Sequence, residues 1–270
     1  MTIKFCALSS GSSGNCLFLA TGKTSVLVDA GLSGKRVEKL MGQIEESPRS
    51  VTAILVTHDH IDHTSGVGVL SRRFDIPIYA NSLTWQAMAE GIGKISPKNI
   101  REFNTDEEFN IADLCVKPYP VSHDAADPVG FTFCAGRVKI AVANDLGCVT
   151  PALEKEFKGS SFIMLESNHD TEMLMVGSYP WYLKRRIAGE RGHLSNEDAG
   201  AALLRLAGQN TKAVLLGHLS KENNYPLLAL ETVKGILMQQ GIEVGREMNI
   251  DLSFRDKISR IYTITDQEVY

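Results

Sequence analysis

One short segment limits what this chain can be more than any other: Thr57-His58-Asp59-His60-Ile61-Asp62-His63, set directly after the apolar run Ala53-Ile-Leu-Val. It places three imidazoles and two carboxylates within six residues. His58 and His60 are two apart, so they share a face wherever the backbone is extended. Asp62 and His63 can diverge toward a second point as the chain turns into a helix. Such a loop can feed two metal ions rather than one. Imidazole and carboxylate without a thiolate suit zinc, manganese or iron in an open site and argue against a structural zinc knot. A single histidine reads most simply as a hydrogen-bonded surface or core group, but grouped His and Asp are the usual signature of a metal site.

A loop supplies only part of a two-metal site, so further ligands must come from strand ends elsewhere. The apolar blocks predict strands at 3–8, 15–20, 25–29, 53–57, 76–79, 116–121, 130–134, 138–143, 162–166 and 213–217. Residues 248–254 and 259–264 are expected to close a sheet edge. Helical patterns cover about 34–44, 64–74, 83–91 and 226–240. Another helix starts at Ser195-Asn-Glu-Asp198, a Ser-x-x-Asp capping box. His123, Asp145 and His218 each follow a predicted strand, and with the loop they make up seven potential ligands. An aspartate shared between two ions would hold them about 3.5–4 Å apart.

The rest of the chain permits this chemistry. Its 270 residues, 43% of them hydrophobic, are enough to bury a substantial core, and no repeat or linker divides them, so one domain over 1–270 is expected. A β-rich half followed by an α/β half fits helices packed outside inner sheets. No apolar run approaches the roughly 18 residues of a membrane span. The N-terminus does not read as an export signal, so a cytoplasmic protein with no membrane partner is expected. Cys6, Cys16, Cys115, Cys134 and Cys148 have wide, irregular spacing and read as buried thiols. The net charge of −4 argues against nucleic-acid binding by the whole surface, but bound divalent ions would reverse the sign inside a cleft.

His-x-His-x-Asp-His followed by a lone His, a lone Asp and a late His resembles the ordered motif set of the metallo-β-lactamase superfamily. The resemblance implies an α/β fold, the αββα four-layer sandwich. It puts His58, His60 and His123 on one divalent ion, Asp62, His63 and His218 on a second, and Asp145 between them. Secreted β-lactamases carry a Cys where this chain has Asp145, which speaks against antibiotic degradation. A closer resemblance is to the YycJ/WalJ family. It is carried by Leu8-Ser-Ser-Gly-Ser-Ser-Gly-Asn15, Leu27-Val-Asp-Ala-Gly-Leu-Ser33, Ile78-Tyr-Ala-Asn81, Val121-Ser-His-Asp124, Glu166-Ser-Asn-His-Asp170, Gly192-His-Leu-Ser-Asn196 and His218-Leu-Ser-Lys-Glu-Asn-Asn224. That family implies a 5′→3′ exonuclease on double-stranded DNA with a part in mismatch repair.

Two bound ions can convert water to hydroxide and neutralise a phosphodiester under attack. Asp62 is the expected positioner of that hydroxide. His193, oriented by Glu166, is the expected donor of the proton that the leaving 3′ oxygen needs; the alternative is that it only caps a turn. Lys184, Arg185 and Arg186, flanked by Tyr179, Trp181 and Tyr182, could bind phosphates and stack an end base, or form the solvated face of a helix. Ser10, Ser12 and Asn15 could present donors to a phosphate or belong to an ordinary turn, and His169 is a weaker substrate-contact candidate. The expected partner is nucleic acid, DNA ahead of RNA, with the oligomeric state open. The rival functions are a thioester or lactone hydrolase, an RNA-processing nuclease, and a regulatory protein that keeps metals for stability.

Overall fold

Strands such as Cys16–Ala20 and Ala213–Gly217 are buried at every position, so their apolar residues run on instead of alternating. That pattern arises when a sheet is covered on both faces. The computed structural model of this chain describes residues 1–206 and 210–270, and among them it forms two seven-stranded sheets. The strands are β1 (Ile3–Ser9), β2 (Cys16–Ala20), β3 (Ser25–Val28), β4 (Ala53–Leu55), β5 (Ile78–Ala80), β6 (Ile100–Glu102) and β7 (Phe109–Ile111). They continue with β8 (Leu114–Pro120), β9 (Val129–Ala135), β10 (Val138–Ala143), β11 (Phe162–Glu166), β12 (Ala213–Gly217), β13 (Asn249–Leu252) and β14 (Tyr262–Ile264). The first sheet runs β14-β1-β2-β3-β4-β5-β6 and the second β13-β12-β11-β10-β9-β8-β7.

Helices α1 (Gly34–Gln43), α2 (Ile61–Thr64), α3 (Val67–Phe74) and α4 (Ser82–Ile92) follow strands of the first sheet. Helices α5 (Pro151–Phe157), α6 (Thr171–Val176), α7 (Trp181–Ile187), α8 (Asn196–Leu206) and α9 (Pro226–Gln239) accompany the second. Three apolar clusters define the layers. Phe5, Val28, Phe131, Phe162 and Tyr262 join the two sheets face to face. Leu27, Ile54, Val37, Leu70 and Met88 seal α1, α3 and α4 onto the outer face of the first sheet. Ile163, Val214, Phe157, Leu203 and Val233 seal α5, α8 and α9 onto the second. The helix–sheet–sheet–helix sandwich implied by the resemblance is the observed architecture, and β13 and β14 close one edge of each sheet as expected.

Two readings are corrected. The helix expected over 64–74 is interrupted at Ser65-Gly66. A Cβ on Gly66 would lie 2.1 Å from Leu32 O, so the backbone there is pressed against the β3–α1 loop and only glycine fits. The five cysteines are all free, but only Cys6 and Cys16 are buried; Cys115, Cys134 and Cys148 are half-buried. No helix among the described residues is long and apolar enough to cross a membrane.

Candidate metal centre

The candidate ligands sit where strands end. Asp29 follows β3, His58–His63 follow β4, His123 follows β8, Asp145 follows β10 and His218 follows β12, while Glu166 is the last residue of β11. Because β3 runs parallel to β4, and β10, β11 and β12 run parallel to one another, these residues gather at the carboxyl ends of their sheets. That is where α/β sheets offer a ligand crevice. Asp29, Asp145 and His218 hold left-handed backbone, at φ 59°, 52° and 55°. Such a conformation costs a non-glycine residue about 1–3 kcal/mol and persists where the surroundings over-determine it, typically at functional sites.

Two triads converge. Ligand atoms of His58, His60 and His123 lie within 4.8 Å of one another, and so do those of Asp62, His63 and His218. Asp145 belongs to both neighbourhoods, grouped with His58 and His63 on one side and with Glu166, His193 and His218 on the other. Four of the five candidate ligand imidazoles are anchored through Nδ1. His58 Nδ1 lies 3.0 Å from Thr57 Oγ1, His63 Nδ1 2.8 Å from Asp29 Oδ2, His123 Nδ1 3.0 Å from Gly192 O, and His218 Nδ1 2.7 Å from Glu166 Oε1. Fixing Nδ1 leaves Nε2 for the site, which is how proteins set the tautomer of a metal-bound histidine. Asp29 is itself held by Thr57, whose N–H donates to Oδ1 at 2.8 Å and whose hydroxyl donates to Oδ2 at 2.8 Å.

The atoms left over test whether a cation fits. His58 Nε2 and His218 Nε2 are buried and make no hydrogen bond, and Asp145 Oδ2 has only His63 Nε2 beside it, at 2.9 Å. Leaving one such atom unsatisfied costs about 1–3 kcal/mol, so two unpartnered imidazole nitrogens in one cluster are a poor arrangement for a site with nothing to bind. Burial and the facing imidazoles of His63, His123 and His60 push His58 well below its ordinary value, so it is neutral, as a ligand must be. The imidazoles of His218, His63 and His193 hold the Asp145 carboxyl well below the usual carboxylate range against the effect of burial. The Asp29 and Asp145 carboxylates likewise draw His63 well above its ordinary value although burial opposes them. The neutral His58 nitrogen and the ionised Asp145 oxygen suit a divalent cation, and His63 would give up a proton to join them.

Glu166 is fully buried and serves both imidazoles. Its Oε1 lies 2.8 Å from His193 Nδ1 and 2.7 Å from His218 Nδ1, and its Oε2 accepts from the N–H groups of Leu146 and Leu194 at 2.9 and 3.2 Å. His193 and these other partners depress its carboxyl to about 2 despite burial. His193 in turn is raised to about 9, because burial, which would lower it, is outweighed by Glu166. With Nδ1 engaged, Nε2 is the nitrogen His193 has left for a substrate. His193, Ser12, Asp124, Tyr179 and Arg186 line a cleft of about 250 Å³ beside the ligands.

The other sequence candidates divide. Asp62 is brought to the ligands with its side chain 22% exposed, and Ser12 stands on the cleft rim. Arg185 and Arg186 are exposed, Arg186 pairing with Asp124 next to the candidate ligand His123. Three expected substrate contacts have their polar groups engaged within the fold. Ser10 Oγ accepts from the His218 N–H at 2.8 Å. Asn15 Oδ1 accepts from Gly11 N–H, and Nδ2 lies 2.9 Å from His63 Nε2. Lys184 is buried, its Nζ donating to Met175 O at 2.7 Å, so it ties α7 to α6. His169 is buried outside the ligand groups, its backbone bridged to Ser195.

Sequence reasoning missed Asp29, Thr57 and Asn168 as supports; Asn168 Nδ2 donates to His218 O at 2.8 Å. The signal for Asp29 was an acidic residue ending an apolar strand just before Ala-Gly. It missed Gly31 as well, where a Cβ would lie 1.5 Å from Asp62 O. Through that close approach Asn15 N–H reaches Asp62 O at 2.8 Å and Gly31 N–H reaches Asn15 O at 2.8 Å, locking three loops together.

Residues 24–219 match the family described as the beta-lactamase superfamily domain. The chain is 42% identical over 250 residues to the exodeoxyribonuclease YycJ of Bacillus anthracis, covering 93% of this chain and 95% of that protein. It is 41% identical over 249 residues to the exodeoxyribonuclease WalJ of Streptococcus pneumoniae, covering 92% and 93%. Among solved structures, the metallo-β-lactamase fold protein YhfI of Bacillus subtilis superposes with a TM-score of 0.71 at 14% identity, covering 97% of this chain and 99% of that one.

Proposed function

The chain belongs to the metallo-β-lactamase superfamily and, within it, to the YycJ/WalJ family, and from that membership we propose that it is a metal-dependent exodeoxyribonuclease. It shortens double-stranded DNA from the 5′ end, and its place is in DNA repair. The observation that carries a phosphodiester substrate is the Glu166–His193 pair beside the ligands. A sugar alkoxide leaves poorly unless it is protonated, whereas the thiolate of a thioester leaves unaided, so a dedicated proton donor suits the former.

In this reading His58, His60 and His123 would hold one divalent ion and Asp62, His63 and His218 a second, with Asp145 available to both. The ions, zinc, manganese or iron, would supply the charge that neutralises the phosphate and acidifies an attacking water. Asp62, whose side chain is partly exposed, would accept a hydrogen bond from the attacking water and orient it. His193 Nε2 delivers the proton to the 3′ oxygen, while Glu166 keeps the ring aimed and charged. Arg186 and Ser12 meet phosphates at the cleft rim, and Arg185 adds long-range attraction.

The test is cleavage of 5′- and 3′-labelled DNA and RNA, single-stranded and duplex, with manganese, zinc or EDTA. Metal-dependent loss of nucleotides from the 5′ end of duplex DNA, absent in Asp145→Ala, is the expected result. Intact strands from metal-loaded protein that cleaves a thioester would overturn it.

A further inference from the structure

Directly after the ligand His218, the chain enters a second cavity that the catalytic reading does not use. It holds about 220 Å³ and is lined in part by Ser10, Ser220, Lys221, Tyr225, Phe254 and Arg255. Its lining contains two cations and no carboxylate, in a chain whose net charge is −4. Neither cation is neutralised: Lys221 and Arg255 make no ion pair among the described residues. Arg255 donates from Nη2 to Leu219 O at 3.1 Å, but its Nε is buried and makes no hydrogen bond.

A guanidinium is matched to a phosphate, and Arg255 spends only Nη2 on a hydrogen bond among the described residues. Gly11, at φ 146°, packs against the guanidinium and fixes its place: a Cβ there would stand 3.2 Å from Arg255 Nε. Tyr225, 63% exposed, is among the lining residues, and Lys257 Nζ lies 3.9 Å over the Phe254 ring, adding a third cation. Ser220 lines both this cavity and the cleft that holds His193, so the two are neighbours.

We propose that Lys221 and Arg255 form a second phosphate seat that grips a backbone phosphodiester of the nucleic-acid strand away from the scissile bond, with Tyr225 stacking on the adjoining base. The seat rests on the nuclease reading and extends it. It gives the strand a fixed path across the metals, from the Arg186 cleft to Arg255, so a substrate too short to span both gains nothing from it. Stacking and cation contacts of this kind bind single strands with little regard to sequence.

The experiment compares wild type, Lys221→Gln, Arg255→Gln and the double variant on a DNA strand and on bis(p-nitrophenyl) phosphate, which reaches only the metals. The expected result is a KM on DNA raised about tenfold in the double variant, with kcat within about twofold. The salt dependence should flatten by about 0.7–0.9 in log–log slope for the lost phosphate contact, and hydrolysis of the small diester should not change. Unaltered KM and slope in both single variants would overturn the seat. So would equal losses on both substrates in Lys221→Gln, whose exposed side chain the fold does not need. If the wild type cleaves no DNA, the nuclease reading fails separately. The seat is then decided by anisotropy of a fluorescein-labelled strand: weaker binding by the double variant supports it and equal binding overturns it.

Discussion

An imidazole can serve a cation only through a nitrogen that its neighbours have left free, and most of this centre is devoted to arranging that. Asp29 contributes no ligand atom, yet its bond to His63 Nδ1 decides which nitrogen faces the site. Asp29→Asn keeps the shape and tolerates the left-handed backbone, but replaces the carboxylate with an amide. Ion affinity should fall about 10–100-fold, read by zinc titration against a chromophoric chelator. His193 is a different case, since it stands beside the ligands with Glu166 behind it. His193→Ala should lower kcat on DNA about 10²–10⁴-fold while leaving bis(p-nitrophenyl) phosphate nearly untouched, because nitrophenolate departs without a proton. Equal losses on both would remove His193 as the donor. The convergence of the candidate ligands was legible in the sequence because histidines and aspartates clustered after an apolar strand have few other reasons to be there. Asp29 was not, because its role depends on a neighbour 34 positions away. Ser10, Asn15 and Lys184 carry groups suited to phosphate, and only the fold shows those groups already engaged.

Elements carry the residues to the site, and those with strong periodicity were legible. β1, β2, β3 and α1, α4 and α9 stand close to where apolar spacing puts them. Three-residue strands such as β6 and β7 give too short a pattern to read, and they exist because a neighbouring strand offers its edge. The α5 helix was also missed, although Thr150 caps it and Pro151 occupies its first turn, which are local start signals. Two sheets also need tying at their turns. Asp113, between β7 and β8, accepts hydroxyl hydrogen bonds from Thr24 at 2.6 Å and Thr21 at 2.7 Å, in the β2–β3 turn. These hydroxyls hold its carboxyl below its ordinary value. A carboxyl depressed in the fold stabilises above its unfolded value and loses that contribution as pH falls through the folded one. Asp113→Ala should therefore cost about 1 kcal/mol near neutral pH. The Tm gap from wild type should narrow below about pH 4. A gap that stays constant into acid would mean the staple does not depend on the charge.

At the scale of the whole molecule, the centre takes His58, His60, Asp62 and His63 from the first sheet's side, and His123, Asp145 and His218 from the second. Bound ions would thus clamp together two halves that otherwise meet through an apolar interface. The central claim is that hydrolysis belongs to this shared centre and needs both halves of it. It is tested most directly by stripping the protein with a chelator and restoring manganese or zinc stepwise, following bound metal by mass spectrometry of the folded chain and DNA cleavage in parallel. The account predicts two ions per chain and activity that rises with the second. Full cleavage by stripped protein, or activity complete with a single ion bound, would contradict it.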